Sequence, residues 1–323
     1  MIRSLRAVAA LVVAFLTAAP AFAQSYPAKP IKLIVSTSAG GITDIAARIL
    51  GAHITARTGQ PVVIDNRAGA SGNIAMDAVA KAAPDGLTLG VANTGNVVIN
   101  PYLMRHMPYD PLNDLVPVGV IGTVPLFLVM NASVPATTLK EFIAYAKTQP
   151  EKISYASAGV GTTPDLAAHE FNRRSGLKLV FVPFRGTAPA VAAVLGGDVQ
   201  VTFVSMGPHI EFVRQGKLRI LGAATPKRAP YVPDVPTFAE QGFPGFETLT
   251  WFALFAPRGT PAEIVDQLNG YVRELAQDAD ARKRLEANFI DPAAMTAPEF
   301  AALVKADAAK WERIVRDAGI KID

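Results

Sequence analysis

Two short segments carry the residue types that could hold an anion. The first, Ser36-Thr37-Ser38-Ala39-Gly40-Gly41-Ile42-Thr43-Asp44, lies where an apolar strand pattern gives way to a helical one. Its small side chains let backbone approach a ligand closely. A helix starting near Ile42 aims free N–H groups and the positive end of its dipole back at the turn, which suits an anion. The same segment also reads as a plain strand-to-helix turn, with Thr43 or Ser38 capping the helix. It lacks the G-x-G-x-x-G spacing of a dinucleotide fingerprint. The second segment runs Tyr155-Ala156-Ser157-Ala158-Gly159-Val160-Gly161-Thr162-Thr163-Pro164. It again joins strand to helix, and Pro164 fits the first helical turn, where no N–H is needed. One such turn is weak evidence. Two at equivalent places in successive βα lobes would face each other across a cleft.

Further turns could complete that cleft. Asn93-Thr94 ends a strand on the side where parallel sheets bind ligands. Arg185, in Pro183-Phe184-Arg185-Gly186-Thr187, could pair with a carboxylate or form a surface or interlobe salt bridge. Ser205 stands at the end of another strand. Asn66 to Asn73, rich in Gly and polar residues, reads more simply as a structural loop.

Catalysis and metal binding find little here. Ser157 sits in Ser-Ala-Gly, not in a G-x-S-x-G elbow, and no spacing nominates a Ser-His-Asp set. The chain has no Cys and four His, none paired at i, i+4, so neither a zinc site nor any cofactor is expected. An exported enzyme using the same cleft stays open as a rival, because a catalytic set need not be sequential.

The elements that must position these turns alternate short β-rich runs with amphipathic helices, the signature of an α/β protein with largely parallel sheets. Strands are expected over 31–36, 62–65, 87–92, 153–156, 179–182, 199–204 and 218–223. Helices are expected from Ile42, Asn73, Thr163 and Thr187, with two more in the tail carrying Ile264 to Leu275 and Phe300 to Val315. A long extended run, Val116 to Met130, reads as a crossing between lobes, and Pro226 to Pro236 as the return.

The first residues point outside the cytoplasm. Arg3 and Arg6 precede an apolar run from Ala7 to Ala19, then Pro20 and Ala21-Phe22-Ala23. That is a secretory signal expected to be cut after Ala23, leaving a protein free in a periplasm-like space. The whole chain has 31 basic and 27 acidic residues; removing Arg3 and Arg6 leaves 29 against 27, a net of +2. So balanced a surface argues against a nucleic-acid partner. The 300 residues from Gln24 to Asp323 exceed what one core usually serves, so two domains are expected.

At these turns the chain resembles the substrate-binding proteins of tripartite tricarboxylate transporters, the Bug family. The shared pieces are Ala39-Gly40-Gly41-Ile42-Thr43-Asp44 with Ala47-Arg48, Asp65-Asn66-Arg67-Ala68-Gly69 with Gly72-Asn73, Tyr109-Asp110-Pro111, the 155–162 turn, Val182-Pro183-Phe184-Arg185-Gly186, Pro233-Asp234-Val235-Pro236-Thr237 with Glu240-Gln241-Gly242, and Ala256-Pro257-Arg258-Gly259-Thr260-Pro261. The resemblance implies a type II periplasmic binding protein, a Venus flytrap of two α/β lobes: 24–123 with 225–323, and 124–224. It implies that loops at 37–41 and 157–163 grip a small organic carboxylate through backbone N–H groups and water. It implies a monomeric receptor serving large and small membrane subunits; a sensor presenting ligand to a membrane kinase is the alternative. The chain departs from the family where Ser36-Thr37-Ser38 replaces a Pro-bearing turn, where Asp165 replaces a His before Leu166-Ala167, and where Val204-Ser205 replaces Asp-Asn. An Asp near the pocket would repel an anion unless it is compensated.

Overall fold

The computed structural model describes residues 26–322 except Arg185. The leader, its cut after Ala23 and the expected role of Arg185 lie outside the described residues.

The chain opens with β1 (Ile31–Val35), α1 (Ile42–Thr58), β2 (Val62–Asn66), α2 (Asn73–Ala80) and β3 (Thr88–Asn93). β1 lies between β2 and β3, parallel to both. Helices cover both its faces, so Leu33, Ile34 and Val35 are all buried and the strand shows no alternation. α1 buries Ala46, Ala47, Ile49, Leu50 and Ile54 against this sheet and ends at left-handed Gly59, whose N–H donates to Thr55 O. A wide turn over Gly95–Ile99 leads into the short α3 (Asn100–Leu103).

The run read as one crossing is two strands in two different sheets. β4 (Leu115–Pro125) joins the first sheet and β5 (Phe127–Asn131) the second, with the break at Leu126. The second lobe continues with α4 (Leu139–Thr148), β6 (Ser154–Ser157), α5 (Thr163–Ser175), β7 (Val180–Pro183), α6 (Thr187–Gly196), β8 (Val201–Val204), α7 (Ile210–Arg214) and β9 (Leu218–Ala223). Its sheet runs β7-β6-β8-β5-β9.

The return comes later than the prolines suggest. Residues 226–236 stay on the second lobe: Ala229, Tyr231, Val232 and Val235 pack under its sheet. Phe238 and Phe246, 4.4 Å between centroids, complete an aromatic core with Phe171 and Phe203. The chain leaves at Thr248, whose N–H donates to Ala224 O, while Leu126 N–H donates to Thr248 O. Leu126, Ala224 and Thr248 thus meet at the crossing. The segment 225–247 therefore packs with the second lobe and not with the first, because its phenylalanines fill that core.

The tail returns to the first lobe as β10 (Leu249–Pro257), α8 (Ala262–Leu275), α9 (Ala279–Ala287), β11 (Asp291–Pro292) and α10 (Ala297–Ala318). β10 inserts antiparallel between β3 and β4, and β5 runs antiparallel to β8 and β9, so both sheets are mixed and not largely parallel. Crossing strands must run against the βα units they join. α10 also touches the second lobe: Leu166 of α5 enters the first lobe's core beside Phe300 and Trp311. Glu170 of α5 accepts from Arg313 of α10 at 3.1 Å. Among the described residues no helix is long and apolar enough to cross a membrane.

Candidate ligand-binding cleft

The two glycine turns share one local device. In the first lobe Gly40 adopts φ +83°, and its N–H donates to Asp44 Oδ2 at 2.8 Å. In the second, Gly161 adopts φ +72°, and its N–H donates to Asp165 Oδ2 at 2.9 Å. Each Asp is the third residue of its helix, reaching back four positions to a left-handed glycine just outside it. This resembles the acidic half of a capping box, displaced by one residue.

The surroundings of the two carboxylates differ. Burial alone would raise Asp44, but hydrogen bonds from Arg48, Gly40 and Asn66 outweigh it and hold the carboxyl below its usual range. Asn66 Nδ2 also donates to Thr37 O at 3.0 Å, tying the turn to the next strand. Asp165 is shifted upward: burial raises it further than the Gly161 N–H, the nearby His169 and the Tyr155 hydroxyl lower it. Its oxygens accept from the Tyr155 hydroxyl at 2.9 Å and the Gly161 N–H at 2.9 Å, so the carboxyl that departs from the family pattern is engaged inside its own lobe.

Between the lobes lies a cleft of about 480 Å³. From the first lobe it takes Ile42, Ser71, Asn93, Gly95, Asn96, Ile99, Asn100, Leu103, Thr250, Phe252 and Ile322. From the second come Ala158, Val160, Gly161, Thr162, Thr163, Pro164, Thr187 and Ser205, with Val124 and Leu126 at the crossing. Ile42, Thr163 and Thr187 are the first residues of α1, α5 and α6, so three helix N-termini open on one space. Each contributes orphan N–H groups and a positive dipole end. Thr163, Thr187, Ser205, Thr250 and Asn93 line this space, and their hydroxyls and the Asn93 amide Nδ2 have no partner among the described residues. No three His, Asp or Glu side chains gather as metal ligands among those residues.

Of the residues expected from sequence, the structure brings together Asn93, Ala158, Gly161, Thr162, Thr163 and Ser205 on the cleft wall. Others stand behind it. Ser157 is fully buried, its hydroxyl 3.0 Å from Thr162 Oγ1; Thr162 in turn donates to Gly159 O, fixing the turn from within. Thr94 Oγ1 accepts from Trp251 N–H at 2.9 Å and ties β10 to the end of β3. The first turn contributes less than its counterpart. Ser38, Ala39 and Gly40 are exposed and Thr37 and Gly41 half-buried; none of them lines the cleft, which the turn reaches through Ile42. Asp44, engaged with Gly40, Arg48 and Asn66, shapes the turn and is not among the residues lining the cleft. The asymmetry arises because the lobes meet at the α3 side, where Leu103 lies against Gly161.

Sequence reasoning missed Ser71, Asn96, Asn100, Leu103, Thr250 and Ile322. One signal was present: Asn96 and Asn100 are polar residues at i, i+4 flanking an apolar run just before Pro101. Asn96 Nδ2 donates to Ser71 O at 2.6 Å and Asn100 Nδ2 to Ser71 O at 3.0 Å.

Two mixed-sheet lobes, linked by paired crossings and enclosing a cleft lined by helix starts, define a solute-binding protein of the periplasmic type. The chain belongs to the tripartite tricarboxylate transporter family receptors, whose family model matches residues 46–320. Protein BugT of Bordetella pertussis is 37% identical over 306 residues, covering 94% of each chain. Among solved structures, Rpa4515 of R. palustris with adipate is similar, with a TM-score of 0.77, 35% identity, and coverage of 92% of this chain and 99% of that one. MatC (Rpa3494) from Rhodopseudomonas palustris with bound malate gives a TM-score of 0.72 at 34% identity, covering 90% of this chain and 100% of that one.

Proposed function

We propose that this chain is an exported receptor, freed by cleavage after Ala23, that captures a small organic carboxylate in the interlobe cleft. It would then deliver that acid to the large and small membrane subunits of a tripartite transporter. The observation that carries the reading is the convergence of three helix N-termini and unpartnered hydroxyls on one cavity. The adipate and malate held by similar structures support it.

The energetics suffice. Hydrogen bonds to a carboxylate contribute about 1.5–3 kcal/mol each, and each helix end adds about 0.3–1 kcal/mol. Three or four such bonds, less the cost of ordering and closure, reach the roughly −8 kcal/mol of micromolar affinity. Because donors come from both lobes, bound acid favours the closed arrangement, and closure is what membrane subunits would read.

Calorimetry with adipate, malate, hexanoate and benzoate tests the reading. Replacing Thr163 and Thr187 with Val keeps shape and removes two hydroxyls. The double variant should lose about a hundredfold in affinity for whichever acid binds, at roughly 1.4 kcal/mol per hydroxyl. Unchanged affinity would show that these two hydroxyls do not hold the acid. An acid chemically altered after incubation would favour the enzyme rival.

A further inference from the structure

Two oxidisable sulfurs stand directly behind the cleft wall. The buried Asn73, first residue of α2, donates from Nδ2 to Met104 Sδ at 2.8 Å and to Met107 Sδ at 3.2 Å. Its Oδ1 accepts from Asn100 Nδ2 at 3.1 Å, and that same Nδ2 donates to Ser71 O at 3.0 Å. Asn96 Nδ2 also meets Ser71 O, and Asn96 Oδ1 accepts from the Asn93 N–H. Ser71, Asn93, Asn96 and Asn100 all line the cleft. Met104 itself follows the lining residue Leu103 and bridges to the lining residue Ile322. Resting on the carboxylate reading above, we infer that Met104 and Met107 are an oxidation site: a hydroperoxide converts their thioethers to sulfoxides and thereby weakens the grip on the acid from behind.

Exposure selects these two. Both are half-buried, on the segment between α3 and β4 whose Arg105 and His106 are exposed, so solvent reaches it. Met76, Met130 and Met206 are at most 1% exposed, which closes them to a dissolved oxidant. Met295 is the other half-buried methionine among the described residues. It stands apart: its carbonyl accepts from Asn269 Nδ2 at 2.9 Å, and it does not line the cleft.

In the step, a sulfur lone pair attacks one oxygen of hydrogen peroxide. The S–O bond forms as the O–O bond breaks, sulfur gives up two electrons, and the other oxygen leaves as water. The product is polar where the thioether was apolar. At 2.8 and 3.2 Å there is no space for an oxygen between either sulfur and Asn73 Nδ2, so the amide or the methionine must move. A sulfoxide drawn outward to water takes the acceptor with it. The buried Asn73 N–H is then left without a partner, a loss larger than the bond's own contribution. As Asn73 shifts to find another acceptor, Asn100 loses its fixed partner, and the wall at Ser71 and Leu103 loosens.

Peroxide treatment of the mature chain, followed by peptide mass analysis and calorimetry, tests this. The acid is whichever of adipate, malate, hexanoate and benzoate the untreated chain binds most tightly. A gain of one oxygen should appear at Met104 or Met107 before Met76, Met130 or Met206. Affinity should then fall about tenfold, and the melting midpoint of the ligand-free chain by about 2–4 °C. Each variant is compared with its own untreated form. The double variant Met104→Leu, Met107→Leu should hold its affinity through treatment to within about twofold, because no sulfur remains there. Met295→Leu should lose as much as the parent, and methionine sulfoxide reductases with a thiol reductant should restore the treated parent. Oxidation at Met104 and Met107 with affinity and midpoint unchanged overturns the inference and leaves the carboxylate site standing. So does a double variant that weakens on treatment as much as the parent. If no acid binds the untreated chain, the carboxylate reading itself fails, and this inference with it.

Discussion

At the residue scale the two lobes place the same carboxylate in the same position and give it opposite properties. Asp44 is held below its usual range and Asp165 above it. A carboxyl lowered by folding contributes stability above its unfolded pKa, and that contribution is lost as pH falls through the folded value. A carboxyl raised by folding does the reverse: its contribution is complete at low pH and is lost as pH rises through the folded value. Asp44→Asn should therefore lower the melting midpoint at pH 7, with the deficit closing as the solution is acidified below the ordinary carboxylate range. Asp165→Asn keeps an acceptor for the Gly161 N–H and removes a buried charge. It should match or exceed the parent at pH 8 and lose that advantage in acid. Thermal melts across pH check both, and deficits of the same sign in the two variants would break the contrast. Gly161→Ala needs no titration. The left-handed backbone and the Leu103 contact together should cost about 1–3 kcal/mol of stability.

At the element scale, what was legible followed periodicity. The helices from Ile42, Thr163 and Thr187 were visible because their apolar residues recur at helical spacing or follow a small-residue turn. The parallel strands were visible as short apolar runs. β10 was not, because Trp251 to Ala256 are buried throughout and carry no alternation to tell a strand from any other core segment. The return crossing was misplaced for a related reason. Prolines mark where regular structure stops, not which core the chain serves; Phe238 and Phe246 decide that. The cleft was legible where one segment supplies a whole turn, as 158–163 does. It was hidden where Asn96, Asn100 and Thr250 join it from elements whose neighbours are apolar. The reassigned segment makes its own prediction. Phe246→Ala should destabilise the protein by about 3–5 kcal/mol, with accelerated amide exchange in β6 and β8 ahead of β1 and β3. Loss of protection in the first sheet instead would return 225–247 to that lobe.

At the scale of the whole molecule α5 packs against α10, joining the lobes away from the crossing strands and the Leu103–Gly161 contact. Glu170 is the charged centre of that junction. Burial would raise its pKa, but hydrogen bonds from Arg173, Arg174 and Arg313 outweigh that and bring it to about 2. Two of those arginines share its helix; Arg313 comes from the other lobe. Because the folded value is depressed, the stability this cluster supplies is present at neutral pH, declines as pH drops below the unfolded carboxylate range, and is gone once pH passes about 2. Arg313→Met keeps an unbranched aliphatic side chain and removes the interlobe share of the charge. Arg313 is about a third exposed, so solvent screening limits the loss at pH 7 to about 1 kcal/mol. The gap between variant and parent should narrow steadily as pH falls towards 2. Thermal melts at intervals from pH 7 to pH 2 give the answer: a gap that stays constant to the acid end would mean that the ion pair contributes nothing to holding the lobes together and that packing joins α5 to α10.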